Sequence, residues 1–249
     1  MRILEGKSAI ITGASSGIGR ASALLFSASG ASTVLVARQM GKLEGVVAEI
    51  VQRGGKAVAI AGDVAEERAH SRAVDAALNE FGRLDIAFNN AGDVGSMKPL
   101  AELEFAEWQQ AISVNLNAAF LGTKAQINAM LDSGGGSIIF TGSFVGNSVG
   151  LPGMSAYGTA KSGLMGLAKG IAADYGARGI RANVLQSGGA RTAMAGLPEQ
   201  QQWAAGLHAM KRIAEPEEIA HAALFLASDM ASFVTGSALW ADGGNFAVK

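Results

Sequence analysis

Short runs of apolar residues alternate with longer amphipathic segments along almost the whole chain. Seven runs are apolar at consecutive positions, as in parallel strands that are buried on both faces. They are Ser8–Thr12, Ser32–Ala37, Ala57–Ile60, Leu84–Phe88, Ser137–Thr141, Ile180–Leu185 and Ala238–Ala241. Helical patterns fill the intervals: Gly19–Ser29, Lys42–Arg53, Glu66–Phe81, Phe105–Leu131, Ser155–Ala177 and Pro216–Ala227. The alternation predicts an α/β fold with right-handed βαβ units, in which a doubly wound, mostly parallel seven-stranded sheet has helices on both faces.

No linker, low-complexity tract or repeat interrupts the 249 residues, so we expect a single domain over residues 1–249. Ligands of a doubly wound sheet bind beyond the carboxyl ends of its strands, so functional residues should follow directly after the apolar runs. Asp63, just before the third helical segment, is also a candidate helix cap.

Composition excludes several classes of protein. Hydrophobic residues make up 49% of the chain and charged residues 16%, which is typical of a folded protein. A net charge of -1 gives no indication of a nucleic-acid partner. Without cysteine the chain has no disulfide, zinc–thiolate site or cysteine nucleophile, and we expect no metal. Since we find no signal core and no uninterrupted apolar run of membrane-spanning length, we expect a soluble, cytoplasmic protein without a membrane partner.

A glycine-rich turn joins the first predicted strand to the first helix, with the sequence Thr12-Gly13-Ala14-Ser15-Ser16-Gly17-Ile18-Gly19. Glycines let the backbone approach a pyrophosphate, and the N–H groups at a helix N-terminus point toward the anion. An ordinary turn is the alternative, and the strand–turn–helix context favours a dinucleotide site.

Tyr157 and Lys161 are four residues apart and therefore share a helix face. A neighbouring ammonium lowers the pKa of a tyrosine, so Tyr157 could transfer a proton near pH 7. Ser143 follows the fifth strand, where its hydroxyl could hydrogen-bond a substrate carbonyl oxygen. Asn115 lies within a helical segment, where a buried amide needs partners.

Together these motifs resemble the classical short-chain dehydrogenase/reductase family, and the matches run from Thr12 to Gly244. The resemblance implies a Rossmann-like fold and hydride exchange between a nicotinamide cofactor and a secondary alcohol or ketone. It implies a cofactor half, roughly residues 1–135, and a catalytic and substrate half, roughly residues 136–249. The implied catalytic residues are Asn115, Ser143, Tyr157 and Lys161.

The resemblance also implies a set of cofactor-binding residues. They are Gly13, Ser15, Ser16, Gly17, Ile18, Gly19, Arg38, Asp63, Val64, Asn90, Ala91, Gly92, Tyr157, Lys161, Gly188, Ala190 and Thr192. A structural role for Asn89 and Asn90 is an equal alternative to ligand contact. Arg38 stands where an acidic residue would select NAD, and its guanidinium could pair with a 2′-phosphate. We therefore expect NADP(H), with NAD(H) possible because no second basic residue is expected to support Arg38.

One stretch departs from the family pattern. Ser187 stands where a proline is usual, and Gly188-Gly189 follows, so we expect a flexible turn beside the nicotinamide. Residues 193–210 are expected to form a mobile lid over the substrate. Its apolar contacts would be Met194, Leu197, Trp203 and Leu207, facing Phe144, Val145, Leu151 and Met154. Core or subunit packing of these residues is the alternative.

Several functions remain open. A 3-oxoacyl carrier-protein reductase and a sugar or polyol dehydrogenase are enzyme alternatives, and a dinucleotide-binding scaffold is the non-enzyme alternative. A serine hydrolase is excluded because Ser143 is not in a G-x-S-x-G elbow and no histidine follows a strand. The resemblance further implies a small carbonyl or alcohol substrate and a homotetramer, or a homodimer.

Overall fold

The sheet is fully parallel in the computed structural model, which describes residues 2–248. Its strands in that range are β1 (Ser8–Thr12), β2 (Ser32–Ala37), β3 (Ala57–Ala61), β4 (Ile86–Asn89), β5 (Gly136–Ser143), β6 (Ile180–Ser187) and β7 (Ala238–Ala241). Their order across the sheet is β3-β2-β1-β4-β5-β6-β7, and every neighbouring pair is parallel. The order confirms the predicted doubly wound fold, and it reverses direction between β1 and β4, where such folds bind ligands.

Helices cover both faces of the sheet. Those in the described range are α1 (Gly17–Ala28), α2 (Met40–Gln52), α3 (Glu67–Phe81), α4 (Phe105–Ile112), α5 (Ala118–Asp132), α6 (Ser155–Tyr175), α7 (Pro198–Gly206) and α8 (Pro216–Ala227). One core packs α1, α2 and α8 against the sheet, and the other packs α3, α5 and α6. Successive strand residues alternate between the cores, since Ile10 belongs to one and Ile11 to the other.

The helical pattern predicted over Phe105–Leu131 is not one regular helix. A π-helical segment, Ser113–Asn117, separates α4 from α5, and the buried Asn115 lies within it. Such a segment adds one residue to the turn, which shifts the side chain and frees backbone groups to bond elsewhere.

Two predictions of local structure elsewhere in the chain were incomplete or wrong. The stretch predicted as a lid contains a helix, α7, which begins with Pro198 in its first turn. Asp63 does not cap α3, because Glu66 precedes the helix and the Asp63 carboxylate reaches only the N–H of Ala65, at 2.9 Å. Within residues 2–248, no helix is both long and apolar enough to cross a bilayer.

Candidate active site

In the glycine-rich turn after β1, at the carboxyl edge of the sheet, the backbone of Gly19 lies close to that of Gly13. Gly13 and Gly17 have φ angles of +68° and +52°, which favour glycine. A side chain on Gly19 would collide with the carbonyl oxygen of Gly13. The turn therefore leaves the N-terminus of α1 open toward the cleft, as a pyrophosphate requires.

The loop after β4 is tied to this turn. The Thr12 hydroxyl accepts hydrogen bonds from the N–H groups of Asn90 and Ala91, at 2.9 and 3.0 Å. The Asn90 amide donates to the Thr12 carbonyl oxygen and accepts from the Thr141 hydroxyl, both at 3.0 Å. Asn89 exchanges two hydrogen bonds with Gln126, at 3.0 and 3.1 Å. Both asparagines therefore have structural partners, while Asn90 and Ala91 also line the cleft.

The loop after β3 is held by a histidine that sequence reasoning did not assign. The imidazole Nε2 of His70 lies 2.8 Å from the carbonyl oxygen of Val64, and the ring is almost completely buried. Burial lowers the pKa of His70, although the hydrogen bond to Val64 opposes the shift. The neutral ring can therefore donate to the carbonyl and fix Asp63 and Val64 at the cleft wall.

Two basic residues line the cleft. Arg38, just after β2, is exposed, and Lys42 lies in the first turn of α2. Lys42 is therefore a second basic residue of the cleft that was not assigned from the sequence. A guanidinium and an ammonium are groups that suit a phosphate.

Ser143 is the last residue of β5, and hydrogen bonds fix both its backbone and its side chain. Its N–H donates to Gln186 Oε1 at 2.9 Å, and the Asn147 amide donates to its carbonyl oxygen at 3.1 Å. The Ser143 hydroxyl oxygen accepts from the N–H of Val145 at 3.1 Å. Its own hydrogen therefore stays available for another acceptor. Gln186 was not predicted, since a glutamine inside a strand pattern gives no signal of its partner.

Tyr157 is placed by a close approach between the β5 loop and α6. A side chain on Gly146 would collide with the carbonyl oxygen of Gly158, and the Ser162 hydroxyl donates to the carbonyl oxygen of Gly146 at 2.7 Å. These contacts press the loop that follows Ser143 against the first turns of α6. Tyr157 is 8% exposed and packs with Phe144 and Val145.

Lys161 lies one helical turn beyond Tyr157, on the same face. Its ammonium donates to the Thr141 carbonyl oxygen at 2.8 Å and lies 5.6 Å from the centre of the Tyr157 ring. Burial lowers the pKa of Lys161 to about 8. The i,i+4 spacing therefore produces the predicted neighbourhood.

The predicted lowering of the Tyr157 pKa is wrong for the chain by itself. Burial raises the pKa of Tyr157, the hydrogen bond with Ser143 opposes the shift, and the charge of Asp93 adds to it. The cost of removing a phenolate from water outweighs the hydrogen bond with Ser143. Tyr157 consequently keeps its proton at neutral pH.

Asn115 uses the π-helical segment to hold the loop after Gly92. Its amide donates to the carbonyl oxygens of Asp93, at 2.7 Å, and Ala111, at 2.9 Å. Its Oδ1 accepts from the N–H of Asp93 at 3.1 Å. A side-chain carbon on Gly92 would lie 2.8 Å from Asn115 Oδ1 and 3.0 Å from Lys161 Nζ, so Asn115 and Lys161 flank this glycine.

Hydrogen bonds hold the turn after β6 at several points, which its two glycines did not predict. The N–H of Gly188 donates to the Ala241 carbonyl at 3.0 Å, and the Ser187 hydroxyl donates to the Gly188 carbonyl at 2.8 Å. The N–H of Gly189 donates to Nε2 of the buried His208 at 3.2 Å, and its carbonyl accepts from Ala214 at 2.8 Å. These hydrogen bonds hold the backbone of a turn in which Ser187 replaces the usual proline.

Thr192 reaches across the cleft from this turn. Its methyl carbon would lie 2.8 Å from a side-chain carbon on Gly17, so the β6 turn and the glycine-rich turn face each other closely. Gly188 and Ala190 line the cleft between them.

The cleft has a volume of about 760 Å³, which is within the range of cofactor and ligand sites. Arg38 and Lys42 line it together with Ser143 and Tyr157. Other predicted residues that line it are Ser15, Ser16, Ile18, Met194, Trp203, Phe144, Val145, Leu151 and Met154. Leu197 is instead 69% exposed, and Leu207 packs beside Phe144 in a small apolar cluster. The narrow glycine cradle, together with Arg38 and Lys42, fits a dinucleotide.

Comparison with known proteins agrees with this geometry. The family described as Enoyl-(Acyl carrier protein) reductase matches residues 13–245. Cyclohexanol dehydrogenase of Acinetobacter sp. (strain SE19) is 41% identical over 239 residues, which cover 96% of this chain and 94% of that protein. The chain belongs to the short-chain dehydrogenase/reductase family.

Other members extend the comparison. Cis-4-hydroxycyclohexanecarboxylate dehydrogenase of Sinomonas cyclohexanicum is 38% identical over 242 residues, 96% of each chain. The structure of 7 alpha-hydroxysteroid dehydrogenase complexed with NADH and 7-oxo glycochenodeoxycholic acid has a TM-score of 0.92 at 34% identity. That match covers 98% of this chain and 95% of the other. As a short-chain dehydrogenase/reductase, this chain is an oxidoreductase that acts on CH–OH groups.

Proposed function

We propose that the chain is an NADP-preferring enzyme that interconverts an alicyclic secondary alcohol and its ketone. The observation that carries this proposal is the arrangement of Ser143, Tyr157 and Lys161 at the floor of one cleft, all less than a tenth exposed. The relatives named above act on ring alcohols according to their names. A largely apolar wall favours such a ring over a sugar or polyol, whose hydroxyl groups need many polar partners.

Each catalytic residue has a defined task in this proposal. A bound nicotinamide dinucleotide supplies or accepts the hydride. In the reductive direction Tyr157 donates its hydroxyl proton to the ketone oxygen, and in the oxidative direction its phenolate form accepts the alcohol proton. The Ser143 hydroxyl, which accepts from Val145, donates its hydrogen to the same substrate oxygen. Lys161 stabilises the phenolate left after reduction, and Asn115 holds the neighbouring loop in place.

The preference for NADP rests on Arg38 and Lys42, which line the cleft. A guanidinium and an ammonium together can bind a 2′-phosphate, and no acidic residue stands at the end of β2 to bind a free ribose hydroxyl.

A subunit-pairing role is proposed for two exposed apolar regions. Phe105 and Phe120 on α4 and α5 are 71% and 52% exposed, and Phe233 and Phe246 near the C-terminus are also exposed. Large exposed aromatic side chains of this kind favour contact with a second copy. A homotetramer is the expected state, and a monomeric mass by light scattering would contradict it.

The test is a panel of ring ketones with NADPH and NADH. We expect cyclohexanone to be reduced, with a higher kcat/KM for NADPH. Arg38→Ala together with Lys42→Ala should lower the NADPH value by roughly 10- to 100-fold through loss of two charge-assisted contacts. The kcat/KM for NADH should stay within twofold of the wild-type value. Lys56→Ala, which removes an exposed lysine just before β3, serves as the matched control. Equal losses with both cofactors would contradict the NADP assignment.

A further inference from the structure

Asp93 projects from a backbone that is fixed at the edge of the catalytic floor. Its N–H and its carbonyl oxygen are both bonded to the Asn115 amide, at 3.1 and 2.7 Å. Its carboxylate Oδ1 accepts from the N–H of Gly95 at 3.0 Å, and the residue lines the cleft. The position of the carboxylate is therefore set by the same π-helical segment that flanks Lys161.

Apolar residues line much of the cleft that contains Asp93. They include Val94, Met97, Leu151, Met154, Met194 and Trp203. The nearest lysine along the chain, Lys98, is held by Glu107 at 2.7 Å. Within residues 2–248 the cations that line the cleft are Arg38 and Lys42, assigned above to the cofactor, and the buried Lys161.

The charge of Asp93 reaches the reacting hydroxyl. After burial, which is the largest cause, the negative charge of Asp93 contributes to the raised pKa of Tyr157. Asp93 lines the same cleft as Ser143 and Tyr157, so a ring bound there shares the cleft with this carboxylate.

We propose that Asp93 is a specificity-determining residue that excludes negatively charged substrates, so that the cleft accepts an uncharged alicyclic ketone or alcohol. This inference rests on the proposed function. A ring carboxylate would face a like charge across a partly apolar cleft, and the repulsion lowers kcat/KM by roughly tenfold once solvent screening of the exposed Asp93 is allowed for. The chain would then differ from its relative that acts on cis-4-hydroxycyclohexanecarboxylate.

The experiment compares two ketones that differ by one charge, cyclohexanone and 4-oxocyclohexanecarboxylate. We expect the wild-type enzyme to prefer cyclohexanone by at least tenfold in kcat/KM, and high salt to narrow the difference. Asp93→Asn, which keeps an oxygen to accept from Gly95, should raise kcat/KM for the carboxylate about tenfold relative to kcat/KM for cyclohexanone. Asp93→Glu should restore the discrimination. Glu102→Gln, which removes an exposed carboxylate outside the cleft, should change neither value.

Equal values for the two ketones in the wild-type enzyme would overturn the inference and leave the proposed function standing. So would an Asp93→Asn enzyme of unchanged melting temperature that alters both substrates alike. Failure of the wild-type enzyme to reduce cyclohexanone or any other ring ketone would overturn the proposed function and the inference together.

Discussion

Lys161 combines deep burial with an ammonium group, and this combination destabilises the fold. The spacing from Tyr157 was predictable, because i,i+4 residues share a helix face. The electrostatics were not, because the direction of both pKa shifts depends on burial that only the packed structure defines. The same holds for Asp93, whose charge acts on Tyr157 from a loop that sequence reasoning did not assign to the substrate.

Replacing Lys161 should therefore stabilise the protein and abolish turnover. The pKa of Lys161 falls from 10.5 to about 8 on folding, so the cost is complete below pH 8 and disappears as the pH rises toward 10.5. Lys161→Met should raise the free energy of unfolding at pH 7 by about 1–3 kcal/mol, after allowing for the lost bond to Thr141. Urea unfolding at pH 7 and pH 10 measures this change. A Lys161→Met enzyme that is less stable than the wild type would contradict this prediction. So would a gain in the free energy of unfolding that is equal at both pH values.

At the scale of elements, the strands followed directly from the apolar runs. β1, β2 and β7 have the predicted bounds. The break between α4 and α5 could not be predicted, since the π-helical segment depends on the hydrogen bonds that Asn115 makes with a distant loop. Helix α7 was missed because its sequence has no clear apolar face.

His208 links the segment after α7 to the turn after β6. Burial lowers its pKa, although the carbonyl group and the charge of Asp242 oppose the shift, so the neutral ring accepts from Gly189. The stabilisation it provides is present above pH 6.5 and is lost as the pH falls below that value.

Removal of this acceptor should loosen the turn. His208→Phe leaves the N–H of Gly189 without its partner, which costs about 1–3 kcal/mol, and NADPH should bind several-fold more weakly. His208→Gln, whose Oε1 can accept the same hydrogen bond, should recover most of both losses. Thermal unfolding and NADPH fluorescence titration give the two quantities. If the Gln and Phe variants behave alike, packing of the ring against Phe144 is what matters instead.

At the scale of the whole molecule, the sheet topology places the candidate functional residues at one edge of the sheet. Candidate residues that are far apart in the sequence meet because all strands point their carboxyl ends to one edge, and this was predictable from the βαβ pattern. The contents of the cleft were less predictable. Lys42 lines the cleft from the first turn of α2, and Val94 and Met97 line it from a loop without a motif.

The most direct test of the central claim is a comparison of wild-type enzyme with Tyr157→Phe. We predict that the variant retains NADPH affinity within a factor of two, because the ring still packs with Phe144 and Val145. Its kcat for reduction of cyclohexanone should fall by roughly 10²- to 10⁴-fold, which is the usual contribution of a general acid. A Tyr157→Phe enzyme that binds NADPH and turns over at nearly the wild-type rate would contradict the account.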